Sequence, residues 1–493
     1  MGRNGSREAE PTLAPTPTGT RGQFWRAARG SDGRDWLIWA PIEPKEDEPR
    51  RGPADDASSA QNRTPHAIKD WLLSEVQCRR TVPIMNSHRR SSTLLAAPGA
   101  RSLLASSLIA RLPLAMFSLA ILVHARQLSG SFAVAGLASS AYAVCGAISA
   151  PSLGRVIDRT GQTRVLLMGS AASAGILIGL GILGRGASPV LIVGLAAAAG
   201  LTTPPLPACV RTLLPAIVAD PSQLPRLFAV ESTALELTFV IGPPLVLSLG
   251  AIWSPGGALV VSGLVLLAGT IAFALQPPSR RWRPAHVPDR PRRQPSSLTS
   301  PAIRALVVIS FGMDVVFGAT EVGVTATAQH LADAAAAAPV LALWGLGSLI
   351  GGLVATRLAG RGRSARGLVV LLAGLALTHG ALMLCTGSLM AAGAVILLAG
   401  ATIAPTAAIV YAMVDATAPP GTATEAFSWV AAADATGAAI GAAMAGILVQ
   451  DIGPAAAFAL AGAAGALTAI AAVLRAHTLS APAAAPSLAA AHA

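Results

Sequence analysis

The sequence predicts an all-α membrane protein of twelve transmembrane helices in two six-helix halves. Composition is the first reason: of 493 residues, 53% are hydrophobic and only 12% charged, the balance of a polytopic membrane chain rather than of soluble domains. The second is a succession of apolar runs from about residue 103, each long enough for a hydrocarbon core of about 30 Å at about 1.5 Å per residue. The third is a charged turn punctuated by glycine, Gly154 to Arg164, between the second and third runs, which residues 358–366 echo between the eighth and ninth. Such internal duplication is a transporter trait.

Residues 1–84 differ from the rest, holding half of the 24 acidic residues and four of the eight tryptophans. Nothing there is long enough to span a bilayer, and short clusters such as Trp36 to Trp39 cannot build a core, so a disordered polar extension is expected. A cytosolic regulatory arm is one alternative. Another is that the native protein starts at Met85, which would make the segment an extension outside it.

Six runs, at residues 103–124, 132–153, 165–183, 189–210, 229–249 and 255–275, form an N-terminal half over residues 100–275. Residues 276–304, rich in proline and arginine with no apolar face, read as a flexible linker in contact with anionic lipid. Runs at 305–326, 335–358, 367–384, 388–411, 424–449 and 454–474 form a C-terminal half over residues 305–475, and residues 476–493 a disordered tail. Arginines gather in the even-numbered connections: Arg155, Arg159 and Arg164, then Arg211 and Arg226, then the linker, then Arg357 to Arg366. The positive-inside rule puts those connections and both termini in the cytoplasm. The net charge of +12 therefore reports membrane orientation, not nucleic acid.

The turn carries a recognisable pattern: Gly154, Asp158 four residues on, Arg159, Gly161 and Arg164. In this it resembles the signature between helices two and three of the major facilitator superfamily, and the resemblance covers about residues 100–475. It implies the major facilitator fold, with these five residues as a conformational latch. Helices two and eleven meet across the halves in that fold, so Asp158 is expected near the positive N-terminal end of span eleven, opposed by Glu425 and helped by Arg159. Gly242 and Pro243 in span five resemble a motif of drug/proton antiporters, although Leu245, Val246 and Leu247 replace the glycines that should follow. A proline kink beside a small-residue helix contact is the equal alternative.

Charges at membrane depth need a partner, a wet cavity or a purpose. Counting from the predicted ends, Arg111, Glu236 and Asp314 lie at about 10–13 Å, so Arg111 is expected to pair with Glu236, or with Asp314 across the cavity. Asp314, Glu321, Asp434 and Glu236 are the proton-coupling candidates, because burial disfavours the charged carboxylate. Each could instead be a hydrogen-bonding group between helices. Glu231 reads as interfacial, and Thr422 with Glu425 as a capping box opening span eleven. His379 reads as a hydrogen-bonded core residue, and Pro204, Pro205 and Pro207 as a break in span four. Phe117, Tyr142, Trp344, Tyr411 and Trp429 are the large side chains expected to line a mostly apolar cavity.

These features point to a proton-coupled secondary transporter, working by alternating access and exporting a lipophilic small molecule. An importer of a small metabolite or a non-transporting membrane sensor or scaffold are the alternatives. The expected partners are a small-molecule substrate, protons and membrane lipids, for a monomer in a bacterial plasma membrane. No nucleic acid, cofactor or metal is expected. Walker loops, nucleophile motifs and metal-ligand spacings are missing from the sequence, which argues against an enzyme.

Overall fold

The computed structural model describes residues 24–29, 35–40, 100–218, 221–283, 296–331, 336–358 and 364–479. The chain divides into two units, Met1–Arg90 and Ser91–Ala493. In the first, strands β1 (Phe24–Arg29) and β2 (Asp35–Ala40) pair antiparallel, with Trp25 opposite Trp39. Both strands fall within the residues expected to form a polar extension; the rest of residues 1–84 lies outside the described residues, as do residues 480–493 of the expected tail.

The second unit contains, among the described residues, twelve helices long and apolar enough to cross a membrane: Ser102–Ser129, Ala133–Thr160, Gln162–Gly181, Pro189–Ile217, Leu224–Ile252, Pro255–Ala274, Pro301–His330, Ala337–Arg357, Ala365–Cys385, Leu389–Thr417, Ala423–Asp451 and Pro454–Leu474. They are called spans one to twelve below. Several begin with a local solution to the unsatisfied N–H groups of a helix start. Ser131, Ser254, Ser300, Ser364 and Ser388 each accept from the backbone N–H three residues on, and proline opens spans four, six, seven and twelve, where its missing N–H costs nothing.

Three spans are interrupted. Span one consists of helices Ala100–Arg111 and Leu114–Ser129, separated at Pro113. Span four breaks between Pro189–Thr202 and Leu206–Ile217, at the prolines singled out in the sequence. At that break the Thr203 hydroxyl is satisfied, as a non-polar surround requires: Oγ1 donates to Ala199 O at 2.8 Å and lies 3.0 Å from Ser173 Oγ. Span ten breaks between Leu389–Gly400 and Ile403–Thr417. Span five, by contrast, runs unbroken through Pro243 and Pro244.

Small residues set the distance between helices. Gly437 and Gly441 of span eleven lie so close to Phe311 O and Val315 O of span seven that an added methyl group would overlap the backbone. The buried core of the N-terminal half runs from Leu103 to Ala274 and is mostly alanine and leucine, while valine, isoleucine and methionine such as Met313, Val316 and Ile396 contribute more in the C-terminal half. The halves meet through spans two and eleven, four and eleven, five and eight, and five and ten.

Candidate functional site

The residues of interest form layers running inward from one end of the bundle. At that end span two closes on span eleven. Asp158, only 2% exposed, accepts the backbone N–H of Thr424 on Oδ1 at 3.1 Å and of Glu425 on Oδ2 at 2.8 Å. A carboxylate from one half thus caps a helix start in the other, where the helix end is positive. Gly154 permits the approach: a Cβ there would stand 2.6 Å from Ser428 Oγ and 2.9 Å from Thr424 O. Gly161 joins the end of span two to the start of span three at φ 97°, a conformation open to glycine. Arg159 and Arg164 are exposed.

The capping box expected of Thr422 and Glu425 does not form. Thr422 makes no side-chain cap, its hydroxyl donating instead to Pro419 O, because Asp158 already occupies the N–H groups a box would use. Glu425 is free to pair elsewhere, and Arg155 forks onto it, Nη2 to Oε1 at 2.6 Å and Nε to Oε2 at 3.2 Å. It is therefore Arg155, not Arg159, that offsets the negative charge of Glu425. Ser296 Oγ also donates to Glu425 Oε1 at 2.6 Å, so the end of the linker joins the contact. No sequence pattern marks Ser296 for this.

Further contacts between the halves lie at the same end. Thr212 and Thr424 hydroxyls are 3.3 Å apart, and Arg226 Nε donates to Thr356 O at 2.7 Å. One layer deeper come three aromatics: Phe427 of span eleven lies 6.2 Å from Phe228 of span five and 6.4 Å from Tyr411 of span ten, centroid to centroid.

Above the aromatics is a buried ion cluster. Arg111 Nη1 meets Glu231 Oε1 at 2.6 Å, and Arg211 Nε meets Glu231 Oε2 at 3.3 Å, with all three side chains at most 2% exposed. Arg111 Nε also donates to Ser107 O. The Arg211 guanidinium lies over the Tyr411 ring, its Cζ 3.5 Å from the centroid, and so links the N-terminal half to the C-terminal one. Two expectations are corrected here. Arg111 pairs with Glu231 and not with Glu236, because span five begins at Leu224 rather than 229; Glu231 is then about two turns deep, and Glu236, five residues on, points to another face. Arg211 belongs to no connection, since span four continues through Ile217.

The carboxyls come next. Asp314 of span seven and Asp434 of span eleven are electrostatic neighbours, as are Glu236 with Asp314 and Arg211 with Asp434, and Asp314 lies against span eleven, where a Cβ on Gly437 would stand 3.2 Å from its own. Asp434 Oδ1 is buried and has no hydrogen-bond partner among the described residues. Glu321 is exposed and stands two helical turns along span seven from Asp314, about 10 Å, outside this group.

The five large side chains do not form one wall. Phe117 has no exposed surface and meets Tyr142 edge-on, centroids 5.8 Å apart, inside the N-terminal half. Trp344 turns to span nine, Nε1 donating to His379 Nε2 at 3.2 Å, while His379 Nδ1 stands 2.8 Å from Leu375 O. Tyr411 lies beneath Arg211, and Trp429 is half-buried with Nε1 unpartnered among the described residues. Gly242 faces span one, where a Cβ would stand 3.0 Å from that of Ala115, and Pro243 follows it inside the helix.

This architecture recurs in solved structures. A bacterial homologue of the iron transporter ferroportin in the outward-facing state is similar, with a TM-score of 0.62 at 16% identity over 76% of this chain and 98% of that one. The human organic anion transporter MFSD10 (TETRAN) has a TM-score of 0.58 at 18% identity over 76% of this chain and 99% of that one. No curated sequence relative matches the chain. The family description Major Facilitator Superfamily matches residues 103–421. With twelve membrane-spanning helices in two halves and that match over most of its length, this chain is a multi-pass membrane transporter belonging to the Major Facilitator Superfamily.

Proposed function

We propose that the protein is a proton-coupled exporter of a lipophilic or cationic small molecule, working by alternating access. The observation that carries the reading is the stack itself: the Asp158 cap, the aromatic layer and the Arg111–Glu231–Arg211 cluster close one end, and Asp314 and Asp434 are neighbours just inside it. On the orientation set by arginine counting that end is cytosolic, so the arrangement supports an outward-open state. Two carboxyls sharing one site hold a proton between them. In the outward-open state a proton arriving from the opposite face would take the site and release the cation there, and in the inward-open state a cation from the cytosol would displace that proton into the cytosol. Cationic rather than anionic cargo is favoured because Arg111 and Arg211 are already engaged by Glu231, whereas Asp434 Oδ1 has no partner among the described residues.

In this reading Asp158, with Gly154, Arg159, Gly161 and Arg164 around it, is the latch that favours the outward-open state. The test uses proteoliposomes with ethidium as a cationic probe and an imposed pH gradient. Asp314→Asn should lose gradient-driven accumulation and retain downhill exchange. Gradient-driven accumulation equal to that of the unaltered protein would remove the proton-coupling role, and failure of the unaltered protein to move any of a panel of cationic and neutral dyes would remove the export reading.

A further inference from the structure

The start of span seven and the end of span twelve enclose a groove of about 430 Å³ at the Asp158 end. Its walls follow helix periodicity. Arg304, Ala305 and Val308 fall on one face of span seven, while Ala471, Leu474 and Arg475 fall on one face at the end of span twelve. Each wall therefore carries an arginine at the rim and alkyl surface about one turn deeper. Val308 is 59% and Leu474 68% exposed, an exposure that suits acyl chains and not water. The groove lining contains no acidic side chain, and among the described residues no ion pair or side-chain hydrogen bond engages either guanidinium. Arg155 and Arg226, at the same end, are by contrast engaged by Glu425 and by Thr356 O.

The rim is also held in place. Beyond Arg475 the chain turns into the short helix Ala476–Leu479, whose Thr478 and Leu479 N–H groups return to Arg475 O at 2.9 and 3.1 Å, and Leu479 is buried at 2% exposure. On the span-seven side, Ser300 accepts from Ile303 N and donates to Thr417 O, fixing the turn that presents Arg304.

We infer that this groove is a binding site for an anionic phospholipid of the leaflet on the Asp158 side, its phosphate held between Arg304 and Arg475 and an acyl chain along Val308 and Leu474. Guanidinium groups pair bidentately with phosphate oxygens, and the juxtamembrane position places them at headgroup depth. The site stands apart from the carboxyl group proposed for transport, so either proposal can fail without the other.

The test is lipid titration by native mass spectrometry of the full-length protein in detergent, with palmitoyl-oleoyl phosphatidylglycerol against the corresponding phosphatidylcholine. The unaltered protein should retain phosphatidylglycerol in preference. Two cationic contacts worth about five-fold each predict that Arg304→Ala with Arg475→Ala binds it about 30-fold more weakly, and that Arg304→Lys with Arg475→Lys falls between. Both arginines are exposed, so folding should survive, as an unchanged melting temperature would verify. Equal retention of the two lipids would overturn the proposal. So would an equal loss in an Arg280→Ala, Arg283→Ala control on the linker, which would signify diffuse attraction, or competition by inorganic phosphate as strong as by the lipid, which would signify a site for the free anion.

Discussion

Replacing Asp158 by asparagine tests the cross-half cap with almost no change in shape. The carboxylate accepts two N–H groups at 3.1 and 2.8 Å and is buried. Hydrogen bonds to a charged group contribute about 1.5–3 kcal/mol each, against about 1 for a neutral one, and a donor left unsatisfied costs about 1–3. Asparagine retains one accepting oxygen, turns an NH2 toward the second N–H, and removes the negative charge from the helix start. The net loss is about 2–3 kcal/mol, so the ratio of latched to unlatched molecules should fall by about 30- to 150-fold. Spin labels at Thr160 and Ala416, both exposed, in a chain whose cysteines are changed to serine, would report the separation of spans two and ten at that end. A second, longer distance should appear or dominate. A distribution identical to that of the parent, in a variant that melts at the same temperature, would refute the cap as a determinant of conformation.

The other expectations concern the neighbouring layers. Gly154→Ala should open the same end, since its Cβ meets the backbone of span eleven as well as Ser428; adding Ser428→Ala should not restore closure, and full restoration would show the glycine contact to be incidental. Glu231→Gln leaves two buried guanidiniums around a neutral group and should cost about 3–5 kcal/mol, seen as a lower melting temperature in detergent, whereas Glu236→Gln should melt near the parent; equal melting of the two would refute the pairing. In a double-mutant cycle of Arg155→Ala and Glu425→Gln, read by the same spin-label distances, the pair should couple by about 1 kcal/mol, because Arg155 is 41% exposed although Glu425 is 2%. Purely additive effects would leave the fork without energetic weight.

Much of the fold is legible because bilayer thickness imposes run lengths that hydropathy reports directly, and the twelve runs correspond to the twelve spans. The Asp158 turn is legible for a different reason: charge and glycine packed between two apolar runs mark a tight turn at a membrane face. What sequence counting misses lies where hydropathy and helix disagree. The run of span four stops at residue 210, yet the helix carries Arg211 onward to Ile217, so counting takes a buried cation for a loop charge. Hydropathy starts span five at 229, five residues late, which makes Glu231 look shallow and gives its partner to Glu236. The sequence around Thr422 fits a capping box, but a local pattern cannot register a carboxylate arriving from residue 158. Size and span number assign Phe117 and Trp344 to a cavity, and neither property says which way a side chain turns.

The joint at Gly161 has a mechanical consequence. Span two ends at Thr160 and span three starts at Gln162, so a single residue separates two long rods. A connection that short stores no slack. On the proposed latch, a swing of span two away from span eleven would pull the start of span three with it through that single glycine. Span three packs on spans four and six, so in the same reading a break at one carboxylate would be passed on into the body of its half.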